Sequence, residues 1–544
     1  MRTVAFVLLG LLLAPLAGPA VAALQSASAN PFAEWDRLAH LATNTAALAA
    51  LACLVAVPAG AFAALALGRL DFRGRGFVRG LVVGMLFVPL PVTAVAWQVV
   101  LGSWLAPLTL TPGEVAWRPW SQGLLPAGLV HGAAGWPWVV VIAGEVLQRT
   151  DPRLEEDALV AGGPATLLRR VLGPRLLLGA LAGGAWVAVQ TLTEIAVTDA
   201  MMVRTFAEEV YTQLVVASDG VGAALAVTAP PWLVTLAAGL LVTRRAVARL
   251  AEPADEGGPS VPVAWPPWGR RAAVAGLLVV LGVFVVLPVA ALVWTAGGGP
   301  SPGGWSAGAF AGECVKVART DGRVLALSGV EGLAAGVVTA ALALAAAWPA
   351  TRSRRGAACL VAVAVALAVT PGPIVGLGLK QAIGVLVDLE AAAFSRLGAT
   401  PEFPPLRSAL YDQPSPLPSL WAAVTRFFPL AVVVVAPALF AVPRALREAA
   451  RLDGLAAWEE WARVGWPAAR PSALAAAAAV AALTLGEVSA SKIVNPPSRG
   501  VFVLRLFDQM HYGAEMTVAA LALMPLVPAF AVGAAVSRGG RRER

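Results

Sequence analysis

Twelve apolar runs, most of them as long as a bilayer's hydrocarbon core is thick, constrain this chain more than any other feature. Six lie at about 3–23, 41–67, 77–101, 124–147, 176–197 and 222–243. Six more lie at about 272–296, 326–350, 357–385, 421–442, 472–494 and 514–537. A helix needs about 20 apolar residues to cross a membrane. The composition agrees: of 544 residues, 58% are hydrophobic and 13% charged, with a mean hydropathy of +0.75. Soluble domains carry about 25% charged residues, and disordered chains need high charge with low hydrophobicity. Both classes are excluded. The expected fold is all-α, a polytopic membrane protein of about 12 transmembrane helices with no large soluble domain.

The formal net charge is +8. A basic balance can serve nucleic acid, but here the arginines sit in short clusters between apolar runs, which is how membrane orientation is set. No nucleic-acid partner is expected. With the N-terminus inside, the inner segments hold 27 Lys and Arg and the outer segments 12, so both termini are expected in the cytoplasm. Arg2, an apolar core and Ala20-Val21-Ala22 read either as a cleavable signal or as a retained first span. Both readings put residues 24–40 outside. Cys53 and Cys359 lie in apolar runs and Cys314 in a loop, all three with packing roles. His40, His131 and His511 are scattered, so no metal site is expected. Trp97, Trp136 and Trp138 read as interface anchors.

The halves repeat each other in order. Pro89-Leu-Pro91 answers Pro371-Gly-Pro373, and Pro137 stands before Glu156 as Pro429 stands before Glu448. Leu192-Thr-Glu194 answers Leu485-Gly-Glu487, and Phe206, Tyr211 and Gln213 answer Phe502, Phe507 and Gln509. The chain reads as a tandem duplication in parallel orientation. The first repeat is expected over 1–245 with a core at 41–243, and the second over 272–544 with a core at 326–537. Residues 246–271, rich in Pro, Gly and acidic residues, form the expected cytoplasmic linker.

The inner loop that follows the fourth run of each half is unusually long. In the second half, Pro443 opens an amphipathic stretch with Arg444, Arg447, Glu448 and Arg451 around Ala445, Ala449 and Leu452. Gly454 suits a left-handed cap, and a second amphipathic stretch, Leu455 to Val464, leads to Pro467. The spacing predicts a short helix, a sharp turn and another short helix on the cytoplasmic face, an element suited to a groove on a soluble partner. Glu448-Ala449-Ala450, Asp453-Gly454, Val464 and Pro467 resemble the EAA loop of binding-protein-dependent ABC importer permeases. The first half carries a degraded copy: Glu156-Asp157-Ala158, then Gly162-Gly163 and Pro174, behind an Asp151-Pro152 start. Its proline comes one residue early, Asp157 stands for an Ala, and Ala161 stands for the Asp.

The tandem arrangement most resembles the fused permeases of iron(III) and thiamine importers. That resemblance implies two type I permease bundles in a bacterial inner membrane. It also implies two cytoplasmic ABC ATPase subunits on the EAA loops and a periplasmic substrate-binding protein. ATP would then be used by those partners, with no cofactor bound by this chain. The sequence has no Gly-Lys dipeptide and hence no Walker A loop, and no grouping of nucleophile, base and orienting residue marks it as an enzyme. Iron(III) is the first expected substrate, thiamine or a polyamine next. A twelve-span secondary transporter driven by an ion gradient is the alternative. Glu194 and Glu487 lie toward the outer ends of equivalent spans, where a carboxylate either serves the pathway or gate, or binds neighbouring backbone and fixes a loop. Lys380, a basic residue within a span, is expected to snorkel outward. The charge distribution predicts that a cysteine placed at Asp255 reacts with an impermeant thiol reagent only from the cytoplasmic side. Labelling in intact cells would contradict this orientation.

Overall fold

Long runs of Ala, Leu and Val leave the backbone one way to satisfy its own polar groups away from water, the α-helix. The computed structural model describes residues 2–25, 35–105, 119–216, 232–237, 239–241, 265–299, 303–398, 402–496, 499–511 and 515–539. Among these residues it is helical, with no strand. The linker expected over 246–271 lies outside the described residues as far as residue 264, and so do residues 540–544.

The first half contains α1 (Arg2–Gln25), α2 (Trp35–Arg69), α3 (Arg75–Leu86), α4 (Leu90–Gln98), α5 (Leu124–Gln148), α6 (Pro152–Thr166), α7 (Gly173–Thr193), α8 (Ala196–Ala200), α9 (Phe206–Val216) and α10 (Trp232–Leu241). The second half begins with α11 (Pro267–Leu281), α12 (Leu287–Ala296), α13 (Ala307–Ala350), α14 (Arg354–Ala368), α15 (Gly372–Arg396) and α16 (Pro405–Arg407). It continues with α17 (Leu417–Phe440), α18 (Arg444–Leu452), α19 (Ala457–Glu460), α20 (Trp466–Thr484), α21 (Ser491–Val494), α22 (Phe502–His511), α23 (Glu515–Leu523) and α24 (Leu526–Gly539).

Among the described residues, seven helices are long and apolar enough to cross a membrane, or nine if each of two bent pairs is one span. The remaining apolar runs correspond to a short apolar helix at Gly10–Val21, to α10, and to α20, whose 19 residues include Arg470. The segment before the run at 326–350 is also helical, since α13 starts at Ala307 with Ser306 accepting a hydrogen bond from the Ala309 N–H at 3.0 Å. Cys314 therefore sits on a helix rather than in a loop.

The two bent pairs occupy matching places. α3 and α4 meet at 101°, α14 and α15 at 103°. Pro89 and Pro371 stand at the N-caps of the second members, where a missing N–H costs nothing. The paired Pro-x-Pro motifs thus mark two equivalent breaks.

The halves also share a packing plan. α2, α5 and α7 pack on one another, as α13, α17 and α20 do. Around these triangles the terminal helices cross over. α1 packs on α15, while α12 packs on α4; α24 packs on α3, while Trp232 of α10 donates a hydrogen bond to Thr370 beyond α14 at 3.0 Å. Trp136 and Trp97 are buried in these contacts, and Trp138 lies 5.8 Å from Trp186 by ring centroid. The expectation of interface anchoring is corrected for Trp97 and Trp136. Their large apolar rings fill the core because α12 and the preceding wide turn bring Phe284 against both.

Small residues set the helix spacing, as they do where packing alone joins helices. A Cβ added at Gly336 of α13 would stand 2.2 Å from the Ala477 carbonyl oxygen of α20. Gly329, two turns earlier in the same helix, has nothing within 4 Å of such an atom. Gly336→Ala is therefore expected to lower stability by about 2 kcal/mol through overpacking, with Gly329→Ala unchanged. Thermal unfolding of both variants in detergent checks this.

Candidate functional site

The second-half loop forms as its sequence pattern predicts. α18 follows Pro443, and Asp453 is its C-cap. Gly454 then takes φ 75°, the left-handed region that penalises a side chain. The Gly454 N–H donates to the Arg451 carbonyl at 3.0 Å and the Leu455 N–H to the Ala450 carbonyl at 3.1 Å. This is the Schellman closure of a helix. Ala450 turns inward while Glu448 and Ala449 are exposed. The second short helix, α19, runs without a gap through a wide π-type turn into α20, where Pro467 lies in the first turn.

The first-half loop follows the same plan with one shift. Asp151 caps α6 by accepting from the Arg153 N–H at 2.9 Å. Ala158 is buried as Ala450 is, and Glu156 is exposed as Glu448 is. The left-handed residue is Gly163, at φ 68°, whereas Gly162 has an extended φ of −172°. The turn therefore falls one residue later than the register of Gly454 implies. Thr166 fixes it by donating to the Gly162 carbonyl at 3.0 Å. Pro174 sits in the first turn of α7, again behind a π-type turn. Buried side chains tie each loop to the end of a long helix of its own half, α2 in the first and α13 in the second.

Glu194 and Glu487 meet at a central cavity of about 90 Å³. Each ends its helix and caps the next. Glu194 accepts from the Ala196 N–H and, at 3.1 Å, from the Val197 N–H, opening α8. Glu487 accepts from the Ala490 N–H at 2.9 Å, the Ser491 N–H at 2.8 Å and the Ser491 hydroxyl, opening α21. The two bonding patterns are near copies. Both carboxylates thus fix backbone, as one of the two sequence readings holds, and both also line the cavity.

Arg426, which the sequence reading passed over, joins the halves here. Its Nη1 lies 3.3 Å from Glu487 Oε1 and donates to the Thr193 carbonyl at 3.3 Å. Ser489 adds a second link by accepting from the Ile195 N–H at 3.2 Å. His131 Nε2 lies 3.9 Å from Glu194 Oε2. The cluster therefore gathers two carboxylates, one guanidinium and one imidazole around the cavity. Pro89 and Leu90 of the first bend line the same space.

No family model, curated protein or solved structure matches this chain. Its reading rests on its own residues.

Arg426 stands near the start of the 421–442 run, where a single arginine has no counterpart in the repeat to flag it. Lys380 is exposed. Removing Arg426 leaves Glu487 without its cationic partner. Arg426→Met is expected to cost about 3 kcal/mol, whereas Lys380→Met changes little. Chemical or thermal unfolding of the detergent-purified chain measures both.

Proposed function

We propose that this chain is the transmembrane permease of an ATP-driven ABC importer, built as two tandem type I bundles of about six spans each. One observation carries the reading. Each half carries a short helix–glycine turn–helix element, anchored on its inner face and presenting Glu156 or Glu448 outward. Such a pair suits two copies of a soluble partner. In this reading Glu156, Ala158, Gly162, Pro174, Glu448, Ala449, Ala450, Asp453, Gly454 and Pro467 form the coupling loops. Two ABC ATPase subunits dock on them in the cytoplasm of a bacterium. A periplasmic binding protein delivers substrate to the other side, and the cavity at Glu194, Glu487 and Arg426 lies on the path. Iron(III) is the first substrate to test, then thiamine and a polyamine.

The two conformations of an importer differ in how the halves lean on each other. Arg426 to Thr193 and Ser489 to Ile195 are contacts that such a movement would make and break. ATP supplies the work through the docked subunits, which is why the turn geometry matters. A β-branched residue at a left-handed position costs roughly 1–2 kcal/mol and reorients the two short helices.

The test is affinity purification of the full chain from native membranes, followed by ATP hydrolysis in proteoliposomes. The expected result is co-isolation of a Walker A-bearing subunit and hydrolysis that falls about tenfold in Gly454→Val and in Gly163→Val, with membrane insertion intact. Uptake driven by a proton gradient, with no ATPase attached, would instead establish the secondary transporter.

A further inference from the structure

In the first half, Arg69 ends α2 and is buried, as is Glu155 beside the exposed Glu156. Its guanidinium meets Glu155 in a two-pronged pair, Nη1 to Oε2 at 2.8 Å and Nη2 to Oε1 at 2.6 Å. Nη2 also donates to the Leu147 carbonyl at 2.9 Å, near the end of α5. One guanidinium thus joins the end of α2, the end of α5 and the docking helix α6.

The second half makes the same three-way joint from a different residue. Arg447, beside Glu448 on α18, is buried. It donates to the Thr351 hydroxyl after α13 at 2.7 Å, to the Val442 carbonyl at 3.1 Å and to the Leu439 carbonyl of α17 at 3.5 Å. The offset that carries Glu156 to Glu448 carries Glu155 to Arg447 and Leu147 to Leu439. The offset that carries Pro89 to Pro371 carries Arg69 to Thr351. A guanidinium therefore reaches the equivalent carbonyl in both halves, supplied once by the membrane helix and once by the docking helix. The carboxylate moves too: Glu460 of α19, itself buried, takes Arg352 at 3.3 Å and Arg451 at 3.5 Å.

We infer that Arg69 and Arg447 are one positioning element in two chain locations, a buried guanidinium clamp that holds each docking helix to two membrane helices. The role in coupling rests on the function proposed above; the clamp itself rests on the contacts alone. With the clamp closed, a push on α6 or α18 moves the ends of α2 and α5, or of α13 and α17, together. With it open, the docking helix tilts on its own and the push is lost. Neither arginine faces the partner, so both act through the helix they hold.

The swap supplies its own test. Arg69→Thr takes the two-pronged guanidinium partner away from the buried Glu155, and Glu155→Arg sets two guanidiniums against each other. The double variant Arg69→Thr/Glu155→Arg rebuilds the second-half arrangement inside the first half, with a hydroxyl on α2 and a guanidinium on α6 beneath the Leu147 carbonyl. Hydrogen exchange of the full chain in nanodiscs reads the clamp directly. Amides of 155–161 are expected to exchange about a hundredfold faster in each single variant and to return to within about threefold of the parent in the double. The affinity of the co-isolated ATPase subunit for each variant reads its consequence, expected to weaken about tenfold in the singles and recover in the double. A double variant that exchanges as fast as the singles overturns the clamp. Fast exchange with unchanged ATPase affinity overturns its role in docking. A parent chain that binds no ATPase refutes the proposed function, while the exchange data still decide the clamp.

Discussion

Hydrocarbon offers no hydrogen-bond partners, so a helix that breaks inside or beside a membrane must close its own ends. That constraint organises this molecule. The breaks between α3 and α4 and between α14 and α15 fall at Pro89 and Pro371, where one N–H is already missing. The breaks after α7 and α20 fall at Glu194 and Glu487, whose carboxylates take up the free N–H groups of the next short helix. The charge so introduced needs a cation, and Arg426 provides it 3.3 Å from Glu487. Apolar packing builds the bundles, but the polar closures decide where the bundles can bend.

A duplicated chain need not stay symmetric. The backbone plan is kept: matching triangles of helices, matching bends and matching caps. The charges are not. Arg426 corresponds to Ala134 and His131 to Ala423, so each half brings one basic side chain to the cavity from a different level. Arg447 corresponds to Glu155 in the same way. Fusion of the halves into one polypeptide permits this, because each residue meets only one partner and need not satisfy two copies of itself.

Much of this was legible in the sequence, and the reasons differ by element. The apolar runs gave the helices because composition alone forces them. The Pro-x-Pro pairs and the Glu194 and Glu487 pair exposed the duplication, since rare residues at repeated spacing carry information that Ala and Leu do not. Gly454 was legible because only a turn explains a glycine between two amphipathic stretches. Gly162 and Gly163 stand side by side in the first-half loop, and only the backbone shows that Gly163 takes the left-handed turn. Arg69 and Glu155 were invisible as a pair: 86 positions separate them in the chain, and each sits inside a cluster of like residues. The burial of Trp97 and Trp136 was equally hidden, since it depends on Phe284 arriving from the other half.

If the loops at Glu156 and Glu448 couple to docked ATPase subunits as proposed, they move together when nucleotide binds. A distance measurement between spin labels at these two positions tests it most directly. Cys53, Cys314 and Cys359 would first be replaced by Ser, and Glu156→Cys and Glu448→Cys labelled in the assembly purified from native membranes. The account predicts a distance that shortens when non-hydrolysable ATP is added and returns when it is removed. A distance indifferent to nucleotide, in an assembly that hydrolyses ATP, would contradict it.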